Sequence, residues 1–334
     1  LLNWHTVMIR ATSVGTRRVA TMMGAVRRVG VVVLVLMVCS AAWAGKLTVR
    51  VTDGGAAVNG ATVKVEPAGV TGTTNPAGKW DSTVPAGKQR VICWKETGAV
   101  LRGAIVDIVM PAGNHNVDVA LTDAIWMKDY WPLAVGNAWQ YDYRHVESDG
   151  TSSEHTWRER VVRTEAVGGE TASVIAATKD GTPEWEEVRA NNISGFTMYT
   201  QQHGGDTLKF DPPMRIGPVM PKGYEYVVTS VSHHSDGSAD TPMKFRCVFD
   251  AFQDMRVPAG RFARCARLQV RMESGTEWNL VTVWMAKNVG VVRETERNDE
   301  RQNHKLLEEY SVRGLPLRPI RPIGPLVPAP RPDL

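Results

Sequence analysis

The chain has 334 residues, of which 22% are charged, 43% belong to the apolar set and 7% are aromatic. This composition is typical of a globular protein and excludes a coiled coil, a collagen and a wholly disordered chain. Of the 39 basic residues, five are arginines in residues 1–44, which contain no acid, so 34 basic and 35 acidic residues remain and no overall field attracts a polyanion such as nucleic acid.

Residues 1–44 have the pattern of an upstream extension followed by a secretory signal peptide. Arg27 and Arg28 precede an apolar run of ten residues, Val29–Val38, and small residues flank Trp43 at Ala42 and Ala44. The run is too short for a membrane span, which needs about 20 residues, and the small residues fit a signal peptidase. We expect cleavage after Ala44, and an uncleaved anchor is the alternative.

The N-terminal pattern also bears on the start of the chain and on its localisation. Met22 or Met23 could be the true first residue. Cys39 lies where a lipidated cysteine would, but the preceding Val38 is bulkier than such sites usually have. We therefore expect an exported, periplasmic or extracellular protein without a lipid anchor and with no transmembrane segment after cleavage.

Residues 45–122 predict a small β-sandwich. Leu47, Val49 and Val51 alternate with polar residues, which is the period of a half-buried strand. The same alternation recurs along the segment, and the tripeptide Pro-Ala-Gly punctuates it as a turn. The copies of this tripeptide stand at 67–69, 76–78, 85–87 and 111–113.

This first segment resembles the carboxypeptidase-regulatory or transthyretin-like modules of secreted proteins. The likeness is carried by Leu47–Asp53, Val58–Val63 and Thr74–Trp80. The resemblance implies a Greek-key β-sandwich that is non-catalytic and serves as a spacer or binding unit.

Residues 123–298 predict an antiparallel β domain introduced by an aromatic connector at 123–131. The second half resembles a widespread group of bacterial secreted proteins and lipoproteins, on the segments Tyr130–Tyr141, Val257–Phe262 and Trp284–Arg293. That resemblance implies a curved antiparallel sheet akin to the half-barrel of periplasmic lipoprotein carriers. The overall fold class is therefore predicted to be all-β.

The end of the chain has a different composition. Residues 299–310 predict a short helix or a connector, because Leu306 and Leu307 are flanked by charge. Residues 311–334 contain seven prolines and four arginines, which predicts a disordered tail that samples polyproline II states.

Three cysteines follow the predicted cleavage point: Cys93, Cys247 and Cys265. An odd number in an oxidising compartment leaves at least one free thiol or an intermolecular bond. If residues 257–260 form a hairpin turn, Cys247 and Cys265 lie about seven residues out of register, too far for the Cα separation of about 6 Å in a disulfide. We expect buried thiols, although the sequence leaves a disulfide open.

Motifs that carry chemistry are largely missing from the sequence. It contains no His-Glu-x-x-His, Gly-x-Ser-x-Gly, Cys-x-x-Cys or phosphate-binding glycine loop. No catalytic residue and no cofactor are predicted. A hydrolase without a recognisable signature is a minor alternative, because catalytic triads assemble from distant positions.

Two polar clusters are weak candidates for a site. His233, His234 and Asp236 could ligate a divalent metal, but adjacent strand residues point to opposite faces and no third ligand is identifiable. Glu184, Glu186 and Glu187 surround Trp185 and predict a solvated strand end rather than an acid–base pair. Neither cluster predicts a metal site or a catalytic centre.

Aromatic side chains are the stronger lead. One strand face is predicted to carry Trp139, Tyr141 and Tyr143, and another to carry Trp278 and Trp284. A curved sheet could gather both into one apolar concavity that binds a hydrophobic ligand, or they could fill a core. The predicted function is an exported, non-catalytic binding protein of the bacterial cell envelope that holds a hydrophobic ligand or an envelope partner; a structural or adhesive surface protein with spacer modules is the alternative.

Overall fold

The computed structural model describes residues 44–275 and 277–313, and within them the protein is all-β. The predicted signal peptide lies outside the described residues except for Ala44, and the predicted tail lies outside them from residue 314 onward. The described residues contain no helix that is long and apolar enough to cross a membrane.

The N-terminal unit consists of two sheets. In the first, β1 pairs antiparallel with β2 and β5 and parallel with β8; the second has the order β4, β3, β6, β7, β9. The strands are β1 (Ala44–Asp53), β2 (Ala56–Ala57), β3 (Thr62–Glu66), β4 (Val70–Thr73), β5 (Lys79–Pro85), β6 (Gly87–Thr97), β7 (Val100–Met110), β8 (His115–Ala120) and β9 (Thr122–Trp126).

Alternating valines hold the two sheets together. Val49 and Val51 of β1, Val63 and Val65 of β3, and Val91 of β6 are all fully buried in one shared core. Burying such a side chain contributes about 1.5–3 kcal/mol. The alternation read from the sequence therefore gives the correct inward face of β1.

The C-terminal unit is a closed barrel of twelve antiparallel strands, not the half-barrel expected from the sequence. Each strand pairs with the next along the barrel, and the last pairs with the first. The strands are β10 (Ala138–Glu147), β11 (Ser152–Val167), β12 (Glu170–Lys179), β13 (Thr182–Asn192), β14 (Gly195–His203), β15 (Asp206–Ile216), β17 (Glu225–His234), β18 (Thr241–Val257), β19 (Gly260–Ser274), β20 (Glu277–Ala286), β21 (Gly290–Arg297) and β22 (Arg301–Ser311).

Strand β22 closes the ring and corrects the expectation for 299–310, which is neither a helix nor a connector. It pairs with β10 on one side and β21 on the other. Asn303, Lys305 and Leu307 are buried while the residues between them are less so. The strand was missed because two of its three inward side chains are polar.

A short connector packs against one end of the barrel. It contains the single helical turn α1 (Met127–Tyr130), and Trp131 then stacks on Phe196 with ring centroids 4.6 Å apart. The amide of Asn191 donates to the carbonyl oxygens of Met127 at 3.0 Å and of Trp131 at 2.8 Å. This end of the barrel is therefore covered by the chain that enters it.

The two units share a sheet. The short strand β16 (Val219–Pro221), which lies between β15 and β17 in the chain, pairs with β9 and extends the second sheet of the N-terminal unit. Trp94 and Trp126 pack edge to face next to this pairing, with centroids 5.6 Å apart. Since β9 begins at Thr122 and belongs to the N-terminal sheet, the expected boundary at 122/123 falls within a strand.

Candidate functional site

The predicted aromatic concavity is not formed, because its members lie on opposite faces of the barrel wall. Trp139, Tyr141 and Tyr143 of β10 point into the barrel and are at most 4% exposed. In β20 the deeply buried inward positions are Asn279 and Val281, so Trp278, one residue earlier, lies on the outer face. The sequence identified both stripes correctly but not the side of the wall on which each lies.

The two tryptophans of β20 bind neighbouring polar groups on the outer face. Trp278 donates its indole N–H to Asp299 at 3.0 Å, and the guanidinium of Arg271 lies 5.6 Å from its ring centroid. Trp284 donates to Gln253 at 2.9 Å and lies beneath the guanidinium of Arg293, 4.9 Å away. Both rings thus have structural partners on this face.

Charged side chains are buried inside the barrel. Lys305 lies between two carboxylates, with its Nζ 3.4 Å from Oε1 of Glu159 and 3.4 Å from Oε1 of Glu294. The Trp157 indole donates to the same Glu159 oxygen at 2.7 Å, and the ammonium lies 4.7 Å from the Trp157 ring centroid. Because all three charged side chains are at most 2% exposed, this triad depends on its internal pairing.

A second buried pair lies on β13. Arg189 and Glu187 are both fully buried and form an ion pair, which corrects the expectation that Glu187 lies at a solvated strand end. Burial lowers the pKa of Arg189 to about 10, opposed by the nearby carboxylates of Glu159 and Glu294. Its guanidinium also lies 5.3 Å from the Trp131 ring centroid.

A hydrogen-bonded chain connects this interior to the surface. The side-chain amides of Asn279 and Asn303 each donate one hydrogen bond to the carboxylate of the buried Glu296. Asn303 Oδ1 contacts Nδ1 of His145 at 2.6 Å, and Nε2 of His145 contacts the exposed Glu147 at 2.7 Å. Burial, followed by the charge of Glu294, raises the pKa of Glu296.

A groove with a volume of about 1140 Å³ lies on the outer face of the barrel. It runs across β22, β10, β11 and β12, and the β18–β19 turn at Pro258–Gly260 forms its rim. The turn is fixed by the Ala259 N–H, which donates to the Leu307 carbonyl at 2.9 Å. Of the predicted ligand-binding residues, Trp139 lines this groove, but as a buried side chain.

The groove combines apolar and charged walls. Ala138, Val162 and Ala176 line it together with two arginines, Arg158 and Arg160, and two glutamates, Glu308 and Glu309. Across the strands, Arg158 donates to Gln140 at 2.8 Å, and Gln140 donates to Glu308 at 2.9 Å. Among the described residues, neither Arg158 nor Arg160 forms an ion pair with a carboxylate.

The metal candidates His233, His234 and Asp236 all lie at the β17–β18 connection, but the two histidines have different partners. His233 pairs with Asp240 at 2.9 Å, whereas His234 pairs with Asp206 at 2.9 Å. Asp206, His234 and Asp236 bring one potential ligand atom each within 4.8 Å of one another, so Asp206 is the neighbouring carboxylate that the sequence did not identify. Asp206 also accepts hydrogen bonds from the backbone N–H groups of Ser235 at 2.9 Å and Asp236 at 3.3 Å. The cluster therefore links the β14–β15 turn to the β17–β18 turn.

The three cysteines of the described residues are free and buried, which confirms the expectation of buried thiols. Burial raises the pKa of Cys93, Cys247 and Cys265 to about 12 in each case. Because a thiolate is the reactive form of cysteine, burial disfavours the reactive form of all three thiols.

Comparison with solved structures finds partial likenesses at low identity. A candidate lipoprotein from Parabacteroides distasonis ATCC 8503 is 14% identical with a TM-score of 0.34, over 55% of this chain and 98% of the other. A candidate exported protein with a YmcC-like fold from Bacteroides fragilis NCTC 9343 is 14% identical with a TM-score of 0.29, over the same shares. No family model matches the chain, and no curated protein is significantly similar to it. Function therefore has to be argued from this chain's own residues.

Proposed function

We propose that this protein is an exported binding protein of the bacterial cell envelope, and that the outer groove holds a hydrophobic ligand with an acidic head group. The observation that carries the proposal is the groove of about 1140 Å³, which joins apolar side chains to two arginines, Arg158 and Arg160, that form no ion pair among the described residues. Small-molecule sites usually measure about 300–1000 Å³, so this groove is large enough for a long-chain amphiphile.

The chemistry of the walls selects the ligand class. Aliphatic side chains along Ala138, Val162 and Ala176 exclude water from an acyl chain. Arg158 and Arg160, on the same strand as Val162, offer guanidinium groups to a carboxylate or phosphate within the groove. A fatty acid has both parts, an acyl chain for the apolar side chains and a carboxylate for the arginines.

Export is supported by the sequence of residues 1–44. The basic pair Arg27–Arg28, the ten-residue apolar run and the small residues before Gly45 together form the pattern of a cleaved signal peptide. Mass spectrometry of the protein from its native host should find Gly45 as the first residue.

A fluorescent fatty-acid analogue tests the groove. Val162 is 39% exposed and lines the groove, and Val227 is 48% exposed on β17, outside it. Val162→Asp places a carboxylate beside the acyl chain and should weaken binding of the analogue at least tenfold, while Val227→Asp should leave binding unchanged. Equal affinities for the two variants, or no binding by the unmodified protein, would exclude this ligand site.

The alternative, a structural or adhesive protein with spacer modules, is favoured by the shared sheet. Strand β16 joins the barrel to the N-terminal unit, and the Arg90 guanidinium lies 5.7 Å from the ring centroid of Tyr224. A spacer needs such a stiff junction and no ligand. It should show a rigid two-unit profile in solution scattering and no affinity for the analogue.

A further inference from the structure

Three side chains near one end of the barrel are arranged as a nucleophile, a base and an orienting acid. Ser153 and His155 lie on β11, and Asp180 lies in the turn between β12 and β13. Nε2 of His155 is 3.0 Å from Oγ of Ser153, and Nδ1 of His155 is 2.7 Å from Oδ2 of Asp180. These are the two hydrogen bonds by which a serine–histidine–aspartate triad is recognised.

The strand geometry explains why the three groups meet. Residues two apart on a strand share a face, so Ser153 and His155 are neighbours on one side of β11. Asp180 adopts a left-handed φ of 51° in its turn, which directs its carboxylate back to β11. There its second oxygen, Oδ1, accepts the Thr156 N–H at 2.8 Å. The acid is thus anchored to the backbone of the strand that carries the other two residues.

This anchoring sets the proton positions. The Thr156 N–H, followed by the His155 ring, lowers the pKa of Asp180, so the carboxylate is ionised at neutral pH. An ionised Asp180 requires the proton of neutral His155 on Nδ1. Nε2 is then an acceptor for the Ser153 hydroxyl, which is the arrangement that general-base activation of a serine needs.

We propose that Ser153, His155 and Asp180 form an esterase site, an activity separate from ligand binding in the groove. Ser153 Oγ attacks the ester carbonyl carbon and its proton passes to Nε2 of His155. The bond to the alkoxy group breaks with its electron pair, His155 returns the proton to the departing alcohol, and the acyl group stays on Ser153. Water then attacks the acyl carbon, again losing a proton to His155, and release of Oγ with that proton yields the free acid.

Exposure indicates the substrate class. Ser153 is exposed on its strand, whereas the His155 side chain is 22% exposed and its ring centroid lies 6.2 Å from that of the buried Tyr143. A carbonyl therefore reaches Oγ from solvent, with Tyr143 behind the histidine. A small acyl ester, such as an acetyl group on an accessible chain, meets this requirement.

Covalent labelling and a chromogenic ester test the proposal. The full chain is treated with a fluorophosphonate, and the modified residue is located by peptide mass spectrometry; turnover is followed with p-nitrophenyl acetate. We expect the label on Ser153, and Ser153→Ala should abolish the label and lower kcat/KM at least about 100-fold, since the variant lacks the nucleophile that forms the acyl-enzyme.

Two controls separate this result from a general effect of substitution on the fold. Ser152→Ala removes the neighbouring exposed serine and should keep both label and turnover. Val227→Asp changes an exposed position of β17, outside both the triad and the groove, and should also keep label and turnover. Absence of label from Ser153, or turnover that survives Ser153→Ala with an unchanged melting temperature, would overturn the proposal.

Discussion

Lys305 shows how a single charge holds the barrel interior together. It is 1% exposed and forms ion pairs with two buried carboxylates, those of Glu159 and Glu294. Removing one partner of a buried ion pair leaves an uncompensated charge and costs about 3–5 kcal/mol.

Lys305→Met should therefore lower the free energy of unfolding by about 3–5 kcal/mol, as measured by urea denaturation. The double variant Lys305→Met with Glu159→Gln removes one of the two carboxylate charges that the loss of the lysine leaves unpaired, and should recover part of this loss. A single variant as stable as the unmodified protein would show that the triad is hydrated rather than dry.

Glu296 makes the stability of the barrel depend on pH. Its burial, reinforced by Glu294, raises its pKa above the ordinary value of 4.5 in the folded protein, while the unfolded chain keeps that ordinary value. Between the unfolded and the folded pKa of Glu296, the folded state therefore binds more protons than the unfolded state. The stabilising contribution of this residue is complete below about pH 4.5 and is lost as the pH rises through the folded pKa.

Glu296→Gln should abolish the decrease in stability with rising pH that Glu296 causes. Between pH 4.5 and 8, the free energy of unfolding of this variant should fall less steeply than that of the unmodified protein, in a series of urea titrations. Glu154→Gln, a change at an exposed position of β11, serves as the matched control and should keep the original slope. Parallel curves for Glu296→Gln and the unmodified protein would contradict the prediction.

At the scale of elements, the alternation of side chains predicts strands well but does not say which face is inside. On β10 the inward stripe is aromatic, and the sequence pattern places its three aromatic residues on one face. On β20 both stripes are largely apolar, with Trp278 and Leu280 outward and Val281 and Val283 inward, so hydrophobicity does not decide which side is inside. A closed barrel also tolerates the inward Asn279, because its interior can satisfy polar groups with one another.

Two other features, strand β22 and the proposed triad, are also not predicted from the sequence. Strand β22 carries Asn303 and Lys305 inward, and a sequence with polar inward positions resembles a solvated segment. The proposed triad was missed because Asp180 is brought to Ser153 and His155 by the pairing of β11 with β12, a contact that no local spacing records. The Ser-x-His spacing on one strand was the available signal.

At the scale of the whole molecule, the junction between the two units is built like a continuous sheet. Val219 of β16 pairs with Trp126 of β9 and is fully buried. Its Cγ1 would lie 3.0 Å from a Cβ added to Gly103 of β7, so the glycine permits the close approach. A junction of shared backbone hydrogen bonds and close packing couples the stabilities of the units it joins.

Coupling of this kind predicts one cooperative thermal transition for the full chain. Val219→Asp buries an unpaired carboxylate at the junction, which costs several kcal/mol, and should split the calorimetric trace into separate transitions for the barrel and the N-terminal unit. Val227→Asp introduces the same charge at an exposed position of the barrel and should leave a single transition. Two transitions in the unmodified protein would mean that the units fold independently and that β16 contributes little to their coupling.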